Sequence, residues 1–377
     1  MTVGCVIGVL CLIAPSGWSA PRTRGLLPQP WEGTWSTPGP PLASTLAMDE
    51  IGSVAAGYDG HLVALDPQGA ALWTTEVAGD DLGNEIALLP HLVIVPTDDR
   101  VTALDRATGT VRWERPATKS RVTTGPLGDG TDGVLAATAR GEIMLLDAAT
   151  GDDRVRMTLP APRPNGAPYV WISEGSAAVA WTGDRSCCHL GGVDLETGAL
   201  RWHSKITHDS TVPVVHRGRM VVAANRPRDR EGAAVAYDIV SGDVAWETPL
   251  PGTFGPGLWG DASGNNVVVT NAEGSVLSLD LDVGSSRWTS EPVEPSPEAR
   301  PKIAGDRVFL TPLNVGVIEI DRTTGEVLQA GPLTPEVYVH YSAGGPGRFE
   351  LLVGTGVEAA IWAFEPSDAA RSAAESR

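Results

Sequence analysis

One short segment returns along nearly the whole chain, and its spacing constrains the fold more than any other feature. An apolar residue and an Asp lead to a Gly, and most copies continue to a Trp. The acids are Asp66, Asp105, Asp147, Asp194, Asp238, Asp280 and Asp321, which step by 39, 42, 47, 44, 42 and 41 residues. A period of about 42 residues is that of a propeller blade, a unit that cannot bury its faces alone and must stack in a ring.

The local pattern reads as a hairpin. Alternating runs precede the acids, as at 61–65, 141–146 and 274–279, and alternation of this length specifies a strand. The Asp ends that strand, where its carboxylate can accept backbone N–H bonds from the turn. Gly109, Gly151, Gly198, Gly242, Gly284 and Gly325 follow four residues after their acids. Each supplies the left-handed conformation that a hairpin with a bulge requires. The first hinge, from Asp66 to Gly69, is one residue shorter.

The returning strand ends in Trp73, Trp113, Trp202, Trp246 and Trp288. A large ring at one fixed register is best used between neighbouring blades. There it buries area on both, with its N–H free to bond a backbone carbonyl. Loss of such a ring costs about 3–5 kcal/mol. Val155 and Gln329 stand where Trp is expected, and Glu365 stands in place of Asp.

The ends complete one another. Trp35-Ser36-Thr37-Pro38 matches the anchor segments without a hinge ahead of it, whereas 360–366 matches a pre-hinge strand without an anchor after it. Joined, they make one more unit. The expected fold is therefore all-β: an eight-bladed β-propeller of four-stranded antiparallel blades, the last closed by the N-terminal strand. The expected propeller spans residues 31–366. Such closure removes exposed sheet edges.

The hinge-and-anchor pattern resembles that of the PQQ-like (pyrroloquinoline-quinone-type) eight-bladed β-propellers. This class includes quinoprotein alcohol dehydrogenases, the outer-membrane barrel-assembly lipoprotein and extracellular sensor domains of some kinases. The resemblance covers nearly all of the chain and is silent about function. For an enzyme of the class it implies a quinone in the central channel over a vicinal disulfide, with Ca²⁺ and a catalytic Asp. Cys187 and Cys188 look like that disulfide. However, they fall between an apolar strand (177–181) and a pre-hinge strand (190–193), in an outer hairpin turn. No residues match the Ca²⁺ or catalytic positions.

Composition narrows the partners. The chain holds 28 basic and 46 acidic residues, a formal charge of −18. A nucleic-acid backbone is thereby excluded as main partner, because it needs a clustered positive surface. The 44 Gly and 30 Pro residues disfavour helical bundles. Residues 1–24 read as a signal peptide or membrane anchor, with an apolar stretch at 3–13 and no charge before Arg22. A linker (25–30) and a polar tail (367–377) flank the propeller. A mature exported chain keeps only Cys187 and Cys188 of the four cysteines, which is no disulfide framework.

Other motifs read as structure. Gly255-Pro-Gly-Leu-Trp-Gly260 leads into a turn and then a strand, not the helix a dinucleotide site needs. His203 and His208 are expected to flank a strand. Asp129-Gly-Thr-Asp132-Gly133 is read as a turn rather than a Ca²⁺ loop. No catalytic residue, cofactor site or metal site is assigned. The expectation is a non-catalytic, monomeric, exported scaffold that presents inter-blade loops to an envelope protein partner. A PQQ-dependent dehydrogenase and an extracytoplasmic small-molecule sensor are the alternatives.

Overall fold

The computed structural model describes residues 35–40, 43–78, 85–160, 164–183, 188–206, 211–225, 232–254, 259–293, 300–311, 316–331, 338–345, 348–354 and 359–364. The segments expected as leader (1–24), linker (25–30) and tail (367–377) lie outside them. Among the described residues there are 32 strands and no helix, so none is long and apolar enough to cross a membrane.

The strands form eight sheets of four antiparallel strands each. In chain order the blades cover 43–76, 87–116, 120–158, 169–206, 214–250, 260–289 and 302–331. Each runs from its innermost to its outermost strand. The eighth contains Tyr338–Gly345, Arg348–Gly354 and Ala359–Phe364, with Trp35–Pro38 as its outermost strand. Trp35 lies opposite Ala363 and Ser36 opposite Trp362. The innermost strands touch their neighbours all the way round, including Ala43–Met48 against Tyr338–Gly345. They enclose a central channel.

The apolar core lies between blades rather than within them. One buried cluster joins Val54, Leu62 and Trp73 of blade one to Val93 and Leu104 of blade two. Others join blades two and three around Trp113, blades five and six around Trp246, and blades six and seven around Trp288. This explains the strand patterns. Second strands such as Leu92–Pro96 and Asn266–Thr270 are buried throughout because a blade covers each face. Outermost strands such as Val111–Pro116 stand at the rim, where Trp113 is buried and flanked by exposed residues.

The alternation seen before each hinge therefore does not mark a half-solvated strand. Glu142–Asp147 buries its four central residues, on both faces. In the run at 274–279 the polar residues that create the alternation are taken inward: Ser275 and Ser278 are buried, and Ser278 Oγ accepts from Asn266 Nδ2 at 2.9 Å. A second difference falls at Gly260–Ser263, which is a strand; the turn comes after it, at Gly264. Residues 255–258 lie outside the described residues.

Candidate functional site

Five anchors, Trp73, Trp113, Trp202, Trp246 and Trp288, each close on the hinge of the next blade. Each Nε1 donates to the carbonyl of the residue after a hinge acid. Trp73 donates to Arg106 at 2.7 Å, Trp113 to Ala148 at 2.8 Å, Trp202 to Ile239 at 2.9 Å, Trp246 to Leu281 at 2.8 Å and Trp288 to Arg322 at 2.8 Å. The indole then lies on the hinge Gly. A Cβ on Gly109 would stand 2.7 Å from the Trp73 ring, and one on Gly151 2.6 Å from Trp113. Gly242, Gly284 and Gly325 meet Trp202, Trp246 and Trp288 in the same way. These glycines have φ of 69–78°, so they serve both the left-handed turn and the docking of the ring. Val155 packs on Gly198 in the place of the missing indole.

Across its own blade, each Trp anchor faces a small residue. Trp73 faces Ala64, Trp113 Ala103, Trp202 Gly192, Trp246 Ala236 and Trp288 Ser278. Trp35 takes the same register against Ala363. Where the anchor is not Trp, the facing residue is large: Leu145 opposite Val155, and Glu319 opposite Gln329. Close packing imposes this exchange of volume across the strand pair.

All the hinge acids except Asp66 are bonded on both oxygens. Oδ1 of Asp105 accepts the N–H groups of Ala107 and Thr108 at 3.1 and 2.9 Å. Asp147, Asp194, Asp238, Asp280 and Asp321 repeat this pattern. Asp66, in the short hinge, takes Gln68 and Ala70 instead. Oδ2 takes an Arg seven residues on: Arg112 for Asp105, Arg154 for Asp147, Arg201 for Asp194 and Arg287 for Asp280. Blades five and seven have Ala245 and Leu328 there. Their arginines come from the second strand instead: Arg219 reaches Asp238 at 2.6 Å and Arg307 reaches Asp321 at 3.5 Å. Arg112 and Thr108 hold the Asp105 carboxyl down to about 2. The Thr197 N–H and Arg201 do the same for Asp194, again to about 2. All of this machinery holds blades together and offers no reactive group.

The channel mouth is different. At the end where the between-blade connections enter the inner strands, side chains from five blades meet. The Arg121 guanidinium lies 4.0 Å from the centroid of the Tyr169 ring. Tyr169 stacks near Trp171 and meets Trp259 edge-on, both at 6.0 Å between centroids. Arg300 lies 3.9 Å over Trp259 and reaches Glu85 at 3.5 Å. Tyr169 opens blade four, while Trp259, Arg300 and Glu85 just precede the inner strands of blades six, seven and two. The chain of contacts therefore bridges the mouth. Composition and spacing did not signal it, because its members lie outside the repeating segment.

Cys188 opens the third strand of blade four, half-buried, and forms no disulfide with a described residue; Cys187 lies outside them. Cys188 lies opposite Thr182 of the second strand and Ile206 of the outermost strand, so it does not belong to the innermost strand. His189, next in sequence, is buried, with its Nδ1 2.7 Å from Nε2 of His203 and both rings stacked on Trp181. His203 thus lies within strand Leu200–Ile206, not at its flank; His208 lies outside the described residues. The cross-strand stack places it there. Oδ1 of Asp129 takes the Thr131 N–H and hydroxyl, closing a local turn. Among the described residues no group of three or more His, Cys, Asp or Glu side chains could hold a metal ion. A quinone chamber over a cysteine pair does not fit these residues: Cys188 is off the channel, and aromatic and ion-pair contacts bridge the mouth.

The ring of four-stranded blades, locked hinge to anchor, defines a β-propeller of the PQQ-like type. Residues 188–337 match the family described as outer membrane protein assembly factor BamB. BamB from Moraxella catarrhalis superposes with a TM-score of 0.63 at 15% identity, over 89% of this chain and 100% of that one. Sqt1 from Saccharomyces cerevisiae gives 0.65 at 8% identity, over 90% and 100%. Quinohemoprotein alcohol dehydrogenase from Comamonas testosteroni gives 0.57 at 14% identity, over 89% and 76%. No curated protein matches the sequence. In fold, then, the protein is a PQQ-like β-propeller that resembles BamB.

Proposed function

We propose that this protein is a non-catalytic binding scaffold of the cell envelope, exported and presenting one face of the disc to a protein partner. The observation that carries this reading is the channel mouth, where Trp259, Tyr169, Trp171, Arg121 and Arg300 form a half-buried cross-blade patch. Trp, Tyr and Arg are the residues in which binding energy concentrates at protein interfaces. The likeness to BamB, whose family description is an assembly factor of the outer membrane, supports the same class of role. The N-terminal segment supports export, with residues 1–24 as leader or anchor and 31–366 as the binding body.

Likeness to a quinohemoprotein dehydrogenase motivates one competing reading, oxidation of an alcohol or sugar. Fold does not determine chemistry, and a direct assay separates the two. The scaffold reading predicts that affinity capture from the native envelope retains a stoichiometric protein partner. It also predicts that incubation with PQQ and Ca²⁺ yields no visible-absorbing complex and no substrate oxidation. Quinone-dependent turnover would overturn it.

A further inference from the structure

We propose that the seam between blades six and seven holds a second binding site, on the face of the disc opposite the channel mouth, where the Arg322 guanidinium receives a carboxylate. The site lies apart from the mouth cluster and does not depend on the scaffold reading.

Strand direction fixes the face. Inner strands start at the mouth, and the antiparallel order brings both their turn into the second strand and the hinge to the far end. There the molecule holds its own template. Arg106 and Arg322 each follow a hinge acid, where the other Asp hinges have Pro67, Ala148, Leu195, Ile239 and Leu281. The carbonyl of each accepts from an anchor Trp, and the backbone N–H of each donates to a first-turn carbonyl, His91 or Asp306, at 3.0 Å. Nη1 of each donates where its own inner strand turns, to Leu89 at 3.0 Å and to Gly305 at 2.9 Å. Nη2 of each donates beside the same turn of the preceding blade, at Gly52 and Ser263. The two then differ. Asp49 grips Arg106 with both oxygens, each 2.5 Å from a terminal nitrogen. Arg322 forms no ion pair with a described residue. The two carbonyls take two of its four terminal N–H groups, so one remains on each nitrogen.

Turn length explains the difference. Blade one spends residues 49–52 between the paired Met48 and Ser53, whereas blade six spends only Gly264 and Asn265 between Ser263 and Asn266. The short turn brings no acid, and a half-buried guanidinium is left uncompensated. Burial, and then Arg287, lower the Arg322 pKa, against the weaker pull of Asp261 and Asp306. Those acids are engaged elsewhere. Asp261 takes the Ala262 and Ile303 N–H groups at 2.9 and 2.8 Å, and Asp306 pairs with Arg307 at 2.8 Å.

The same neighbours select the anion. A guanidinium fork matches either a carboxylate or a phosphate. The Ser263 and Gly305 carbonyls, with Asp261 and Asp306 behind them, repel a guest in proportion to its charge. A singly charged, planar carboxylate repeats what Asp49 does on Arg106, and a phosphate dianion does not.

The test uses the full chain with isotope-labelled arginine, titrated with sodium glutarate at constant ionic strength and read by the NMR signal of the Arg322 side chain. Arg322→Lys assigns that signal by removing it. The signal should shift saturably with glutarate and with an end-capped Val-Glu-Val tripeptide. It should not shift with glutaramide or with the Val-Gln-Val counterpart. The Arg106 signal should stay still, because Asp49 already fills its fork. Gly264 supplies the decisive variants: a Cβ there would stand 3.8 Å from Nη2 of Arg322, at a φ of 59° that Asp and Asn tolerate. Gly264→Asp supplies the carboxylate from within the chain, so it should weaken glutarate binding by about tenfold or more and melt above Gly264→Asn. Gly264→Asn should respond to glutarate as the parent does. Tighter binding of the tripeptide than of glutarate assigns the site to an acidic protein segment, and the reverse order assigns it to a small free acid. A still Arg322 signal, an equal response to glutaramide, an undiminished response in Gly264→Asp, or tighter binding of inorganic phosphate would overturn the proposal.

Discussion

The indole of Trp113 lies on Gly151 of the following blade, so closely that a glycine Cβ would stand 2.6 Å from ring atom Cδ2. With φ at 72°, Gly151 is needed for two reasons at once. Gly151→Ala should therefore destabilise by more than the 1–3 kcal/mol or so of a left-handed strain alone. Trp113→Ala should cost about 3–5 kcal/mol. The double variant decides the mechanism. With the ring gone, the alanine loses its clash, so the two costs should fall short of additivity by about 1 kcal/mol or more. Strict additivity in denaturant melts would mean that the glycine acts through its φ only.

The hinge acids predict an acid limb of stability. Asp105 and Asp194 are held at about 2 in the fold, against an ordinary 3.8. A depressed folded value means that the stabilisation is complete above the unfolded value and is lost as pH falls through the folded one. Tm should hold steady down to pH near 4 and drop between about 4 and 2. In Asp105→Asn the drop should be shallower, since one titrating group is absent. A Tm that begins to fall well above this window would assign acid sensitivity to other groups.

Relocation of an arginine should be reversible by design. Asp238 is served by Arg219 because Ala245 occupies the usual arginine position. Arg219→Ala should cost no more than about 1 kcal/mol, as expected for a partly exposed pair. Adding Ala245→Arg should restore the loss. Failure of the second change to rescue the first, measured by thermal melting, would show that Arg219 acts through packing.

Blade three invites the missing anchor. Val155 stands at the Trp register, on Gly198. It faces Leu145 rather than a small residue. Val155→Trp alone should therefore be overpacked and destabilising by about 1–3 kcal/mol. Val155→Trp combined with Leu145→Ala should recover stability to the parent level or beyond. A double variant no better than the single would refute the exchange of volume between the two positions.

Phe349 of the closing blade stacks on Phe309 of blade seven, with centroids 4.4 Å apart and planes within 5°. Both rings are fully buried. Phe349→Ala should cost about 3–5 kcal/mol and lower the cooperativity of unfolding, because it loosens one joint of a closed ring. A wild-type melt from this variant would show that the joint between blades seven and eight contributes little.

Much of the fold was legible because a blade cannot stand alone. A unit that must stack repeats its turn acid, its left-handed glycine and its wedge, and repetition is visible in one sequence. The period of about 42 residues, the Asp–Gly hinge and the Trp register are local facts of this kind. Even the anchor register of Trp35 follows from matching Trp35–Pro38 to the other anchor segments. What the residues left open depends on neighbours distant along the chain. That Gly151 must admit the ring of Trp113, and that Leu145 is large because Val155 is small, are statements about packing volume. The arginine of Asp238 comes from a different strand, so no fixed spacing could reveal it. The channel mouth is the extreme case. Glu85, Arg121, Tyr169, Trp259 and Arg300 recur at about the blade spacing, one at each inner-strand start, but share no single residue type. They meet only because the ring brings five inner-strand ends together, and charge and aromatic contact then act across the gap. Short-range backbone chemistry determined the blade; closure of the ring decided which side chains face one another, and with them the surface a partner would touch.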